Sequence, residues 1–143
     1  MNALLGILIG AIVVCILAAG LYFIIDWFWP YTPPPEIVRL KERLHSVDPY
    51  LSTLDIREDK RESYTKRHSR VYICLRDPDT HEVYDDNVLM YVALHECAHV
   101  ISPGSGHDAA FDKTLDDLLK RAERVGMYDS KIPFPSKYCG KIM

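Results

Sequence analysis

Asn87-Val88-Leu89-Met90-Tyr91-Val92-Ala93-Leu94-His95-Glu96-Cys97-Ala98-His99-Val100-Ile101 decides how this chain folds. The stretch is apolar and helix-compatible, and it carries H-E-x-x-H at residues 95–99. Residues four apart lie on nearly the same face of a helix, so His95 and His99 can reach one metal ion. Glu96 is turned about 100° from His95, because a helix has roughly 3.6 residues per turn. It is therefore expected beside a metal-activated water rather than on the metal, as in zinc sites with two imidazole ligands and a carboxylate base. Val88, Val92, His95 and His99 form one helical row, and Met90, Leu94, Cys97 and Ile101 form a neighbouring apolar row that faces a core. Ser102-Pro103-Gly104 stops the helix. Two surface histidines beside an unrelated Glu are the plain alternative, since short motifs also arise by chance.

Catalytic zinc takes three protein ligands and keeps one position open. His107 is the first candidate for the third, in Gly104-Ser105-Gly106-His107-Asp108, where glycines let the chain turn sharply. Asp108, Asp112, Asp116 and Asp117 are the competing donors. Asp108 also suits the N-cap of the next helix, or a position behind a ligand imidazole that orients it. Cys97 is expected to point away from the histidines, which excludes it from the ligand set.

Outward from this motif, the 143 residues suffice for one small domain, and composition divides them. Ala3 to Ile25 carries no charged side chain; as a helix it spans roughly 34 Å at ~1.5 Å per residue, enough for a bilayer core. Asp26-Trp27-Phe28-Trp29-Pro30-Tyr31 adds an interfacial aromatic cluster. The boundaries read as a transmembrane anchor at 1–29, a stiff Pro-rich spacer at 30–35 and a soluble domain at 36–143. A cleaved signal peptide is the weaker reading, because no basic residue precedes a long apolar run. Arg39, Lys41 and Arg43 flank the C-terminal side of the span, and the positive-inside tendency places the domain in the cytoplasm. Cys74, Cys97 and Cys139 outside the span are odd in number and Cys97 lies in a helix core, so a disulfide framework is not indicated and a reducing compartment is the simpler reading. From Pro30 onward 17 basic and 19 acidic side chains nearly balance, so a nucleic-acid partner is not indicated. The locally basic Arg57 to Arg70, with Lys60, Arg61, Lys66 and Arg67, reads first as a solvated hairpin and second as a contact for anionic lipid or nucleic acid.

A helix is expected over Glu36 to His45, short strands over Thr53 to Ile56 and Ser69 to Leu75, and a turn at Asp77-Pro78-Asp79-Thr80 with a return arm at His81 to Tyr84. The metal helix follows from Asn87, capped by Asp85, Asp86 or Asn87, and a second helix covers Asp108 to Val125 and closes at Gly126. The tail from Ile132 to Met143 reads as irregular; Tyr138-Cys139-Gly140 folds back over the site or lies on the surface as coil. The order suits an α+β zincin-like domain: a small antiparallel sheet, a metal helix and packing helices, behind one transmembrane helix. The strand before the metal helix would form the cleft rim and offer its edge to a substrate chain.

Tyr72-Ile73-Cys74-Leu75-Arg76, Tyr84-Asp85-Asp86-Asn87, Leu94-His95-Glu96 and Gly106-His107-Asp108 with Phe111 resemble the corresponding segments of WLM-type and SprT-like zinc metallopeptidases. The overall plan, including Tyr138-Cys139-Gly140, is most similar to the small membrane-anchored WLM-like metallopeptidases predicted in large DNA viruses. The resemblance covers about half the chain, and its specific core runs from His95 to Phe111. It implies zinc on His95, His99 and His107 with Glu96 as catalytic base, although two extra residues separate His99 from His107 relative to the commoner WLM spacing. The expected partners are the lipid bilayer through residues 3–29, a protein or peptide substrate, and virion or capsid proteins. The leading expectation is a membrane-tethered zinc endopeptidase, in which Tyr138 or a histidine outside the ligand set is the candidate oxyanion donor. A non-catalytic, zinc-stabilised membrane or virion protein is the alternative, followed by a metal-free interaction module.

Overall fold

A computed structural model describes residues 3–28, 31–104 and 106–142. The chain forms two compact units, residues 1–32 and 33–143. Within the first, α1 (Ala3–Phe28) is a continuous helix whose side chains from Leu5 to Ile25 are all exposed. It is long and apolar enough to cross a membrane, and the same length and composition also fit a signal sequence. Of the aromatic cluster expected at an interface, Trp29 and Pro30 lie outside the described residues, as do Met1, Asn2, Ser105 and Met143.

The second unit is α+β. Helix α2 (Pro35–Val47) starts with proline at its first turn, where a missing N–H costs nothing, and buries Ile37, Leu40 and Leu44 along one stripe. Asp48, extended ahead of Pro49, ends it. A single 3₁₀ turn (Leu51–Thr53) then leads into the sheet of β1 (Asp55–Glu58), β2 (Tyr64–Lys66) and β3 (Arg70–Ile73). The sheet order is β1-β3-β2, with β1 parallel and β2 antiparallel to β3. Two expectations are corrected here. The sheet is mixed rather than antiparallel, because β1 joins the far side of β3 instead of pairing with its neighbour in sequence. The strand immediately before the metal helix is therefore central, and the exposed rim is β2.

The β2–β3 connection turns through Arg67 and His68, both left-handed (φ 54° and 51°), which suits the right-handed twist of a tight hairpin. Tyr64 and Tyr72 face each other across it with rings stacked at 4.7 Å. The return arm after the Asp77 turn is reduced to one antiparallel bridge, Arg76 to Val83.

Helix α3 (Asp86–Ile101) is the spine of the unit. The Asp85 carboxylate caps it, accepting from the Asn87 N–H at 2.7 Å. The helix packs against α2, α4, β2 and β3, so Val88, Leu89, Met90, Val92, Ala93, Leu94, Cys97 and Ala98 are all buried. Ile101, at the end of the expected buried row, is exposed. Helix α4 (Ala109–Arg124) has one apolar side, with Phe111, Leu118 and Ala122 buried. It ends in a Schellman motif: Gly126 is left-handed (φ 70°), its N–H donates to Glu123 O, and the Met127 N–H donates to Ala122 O.

The tail also departs from expectation. Lys137–Tyr138 (β4) and Lys141–Ile142 (β5) form a short antiparallel hairpin through Cys139 and Gly140, both at positive φ. Cys139 is joined to Cys74, just beyond β3, by a disulfide that closes 65 residues of separation. The expectation that no disulfide is indicated is thus corrected: two cysteines pair, and buried Cys97 is the one left free outside the span. The cysteine argument for a reducing compartment falls with it, leaving the basic flank of Arg39, Lys41 and Arg43 alone. A loop of this length constrains the unfolded chain strongly. Cys139→Ser is expected to cost roughly 2–5 kcal/mol, read as a lower urea midpoint than in oxidised wild type; unchanged midpoints would show that the crosslink contributes nothing to stability.

Candidate metal centre

His95 and His99 project from α3 one turn apart, and His107 meets them from the loop before α4. One ring nitrogen from each of the three lies within 4.8 Å of the others, so the group could hold a metal ion. His95 Nε2 and His107 Nε2 are 3.1 Å apart, close to the ~3.3 Å expected for two nitrogens each about 2.05 Å from a tetrahedral zinc. Phe111 forms the floor. Its ring stacks on His99 at 4.3 Å and meets His95 and His107 edge-on at 5.0 and 4.8 Å, which restricts imidazole rotation.

His107 sits between the Ser102 C-cap of α3 and the Asp108 N-cap of α4. The Asp108 carboxylate accepts from the Phe111 N–H at 2.8 Å and starts α4. This settles the alternatives for Asp108 in favour of the helix cap. Among the described residues Asp108, Asp112, Asp116 and Asp117 do not join the histidine cluster; Asp116 instead pairs with Lys120 at 2.6 Å. Gly104 makes room for the cap, since a Cβ there would sit 1.9 Å from Asp108 Oδ2.

The electrostatics favour neutral imidazoles. Burial, reinforced by the two neighbouring histidines, pushes the pKa of His95 down from 6.5 to about 4. Burial and then His107 lower that of His99. Neutral imidazole is the form that binds a metal. Glu96 is buried, and burial raises its pKa, opposed by a hydrogen bond from Thr65. The Thr65 hydroxyl lies 2.9 Å from both Glu96 Oε2 and Glu96 O. An open cleft of about 540 Å³ exposes this ensemble, with Thr65, His68 and Glu96 in its lining beside the three histidines.

Sequence reasoning did not single out Thr65, and it did not distinguish His68 from the other histidines outside the ligand set. Both belong to the β2–β3 hairpin, 31 residues from their partners in α3, and nothing in their local pattern signals that contact. His68 Nδ1 lies 2.9 Å from His99 O. Tyr138 is buried, and its hydroxyl donates to Cys74 O at 2.7 Å, so that proton is already committed. Cys97 is buried and apart from the cluster, its thiol pushed up to about 12 chiefly by desolvation.

Similar sequences occur in large DNA viruses. The chain is 41% identical over 88 residues to an uncharacterized protein of Invertebrate iridescent virus 3, covering 62% of this chain and 55% of that protein. It is 32% identical over 114 residues to an uncharacterized protein of Invertebrate iridescent virus 6, covering 75% and 63%. To an uncharacterized protein of Acanthamoeba polyphaga mimivirus it is 31% identical over 113 residues, covering 76% and 55%. The chain thus spans roughly 55–63% of the length of these relatives. No protein-family model and no solved structure matches it.

Two predictions follow from this geometry. Gly104→Ala is expected to displace the Asp108 cap and cost about 1 kcal/mol, yet cost much less in an Asp108→Ala background; additive losses in that double-mutant cycle would refute the coupling. Separately, the metal-free fold binds a proton at His95 less readily than the unfolded chain does. Its stability should be complete above pH 6.5 and decline as pH falls toward about 4. Urea midpoints at pH 7 and pH 4.5 test this: His95→Asn should flatten the difference, and an equal decline in both proteins would contradict the assignment.

Proposed function

We propose that this chain is a membrane-anchored, zinc-dependent endopeptidase of the WLM/SprT-like type with a zincin-like fold. The observation that carries the reading is the convergence of three imidazoles on one point with a buried carboxylate one residue along the same helix. His95, His99 and His107 would hold the ion, and the donor set fits zinc because three nitrogens leave a fourth position open. When bound, the ion supplies Lewis acidity that polarises a scissile carbonyl and acidifies water.

The chain's own residues supply the rest. Glu96 takes the proton from the attacking water and delivers it to the leaving amine, and its raised pKa makes it a stronger base than an exposed carboxylate. The Thr65 hydroxyl holds the carboxylate in place from β2. The free edge of β2 lies on the cleft and is suited to pair with an extended peptide, whose amides would extend the sheet. Helix α1 is read as the anchor rather than a removed signal, on the length of its apolar run. The basic flank favours a cytoplasmic domain, whereas the Cys74–Cys139 bond favours an oxidising compartment or an oxidised particle. Relatives in iridescent viruses and mimivirus support a viral setting, with virion proteins among the partners.

Full-length protein in detergent is expected to bind one zinc per chain and to cleave unfolded protein substrates. Glu96→Gln should retain the zinc and lose at least about a hundredfold in rate. Zinc binding without cleavage in wild type would favour a non-catalytic role for the metal, and absence of zinc under non-chelating conditions would favour a metal-free interaction module.

A further inference from the structure

A second, smaller cavity of about 190 Å³ adjoins the metal cleft and shares Ser63, His95 and Glu96 with it. Its remaining walls come mainly from Tyr91 and Val92 on α3 and from Tyr138 and Cys139 of the C-terminal hairpin. The polar groups of that hairpin wall are already engaged. The Tyr138 hydroxyl donates to Cys74 O, and the Ser63 hydroxyl lies 2.9 Å from it while accepting from the Cys74 N–H at 2.8 Å. The Cys139 N–H donates to the Tyr84 hydroxyl at 2.7 Å. The uncharged lining is then Tyr91, Val92, Tyr138 and Cys139, while Glu62 and Lys141 pair with each other and His95 and Glu96 are shared with the larger cleft. Such walls reward an apolar side chain and penalise a polar one.

Size narrows the choice. A cavity of roughly 150 Å³ lined by apolar side chains holds a benzene-sized molecule, so this one takes a single large side chain and no more. The walls are preorganised. Tyr91 packs edge-on against Phe134 at 5.1 Å and Tyr138 lies on Tyr84 at 4.7 Å. The Cys74–Cys139 bond ties the hairpin to the end of β3, and the Lys141–Glu62 ion pair at 2.9 Å closes the rim.

We infer that this cavity is a side-chain subsite for one aromatic or large aliphatic residue of an extended peptide lying along β2, with the disulfide-tied hairpin as its outer wall. The substrate class then becomes peptides carrying such a residue next to the bond presented to Glu96, and this assignment rests on the peptidase reading. Binding does not rest on it. Val92 and Tyr138 both line the cavity, so enlarging Val92 should exclude a ring and shrinking it should not.

The test uses the full chain in lipid nanodiscs, with N-acetyl-phenylalaninamide and N-acetylglycinamide as probes followed by ligand-observed NMR. The phenylalanine amide should bind at least about tenfold more tightly than the glycine amide. Val92→Met should remove that preference while leaving the disulfide and the metal content intact, and Val92→Ala should retain it. Equal binding of the two amides, or a preference unaffected by Val92→Met, would overturn the inference. A peptide library varied around the cleaved bond separates the two readings. Binding selectivity without any cleavage keeps the subsite and defeats the peptidase; cleavage indifferent to the neighbouring side chain keeps the peptidase and defeats the subsite.

Discussion

The hydrogen bond from the Phe111 N–H to the Asp108 carboxylate holds the candidate site together. A helix can present His95 and His99 to one point through its pitch alone, but a third imidazole twelve residues from the first needs a chain reversal of defined shape. Asp108 supplies it by starting α4 where it does. That start places His107 immediately before the cap and Phe111 three residues after it, under all three rings. Gly104 is the other half of the same device, because the carboxylate occupies the space a side chain would need.

The site draws on two scales of organisation. The imidazoles are a local affair of α3, one loop and the first turn of α4. The carboxylate environment is not. Glu96 is buried between α3 and the β2–β3 hairpin and meets Thr65 from a strand 31 positions away. Desolvation raises its pKa, while the Thr65 hydrogen bond holds part of that shift back. The α3 core row of Met90, Leu94 and Cys97 is fully buried, so the helix that carries the histidines is fixed by packing before any ligand arrives.

What could be read in the residues divides along the same line. H-E-x-x-H, the apolar row beside it as far as Cys97, the stop at Ser102-Pro103-Gly104 and the second helix with its Gly126 end are periodic or local signals, and the two helices appear within a residue of their expected bounds. His107 was a candidate from position and glycine context, and the structure brings it to the other two. The mixed sheet was not legible, because strands of three or four residues carry no partner information. The Cys74–Cys139 pair was hidden by its separation and by the odd count of cysteines outside the span. The terminal hairpin failed for a third reason. Strands of two residues have no periodicity, and Cys139 supplies a left-handed turn conformation normally signalled by Asn or Gly.

Thr65 carries a single hydroxyl hydrogen set between two acceptors of Glu96, the main-chain carbonyl and the side-chain carboxylate, at equal distances. One proton serves one acceptor at full strength. Rotation about a single Cβ–Oγ bond therefore shifts electrostatic support from the helix backbone to the ionisable group and back. The rim of the cleft and the buried carboxylate beside the three histidines are joined by a rotor, and anything that docks on the strand and biases that rotor alters the basicity of Glu96 without touching it.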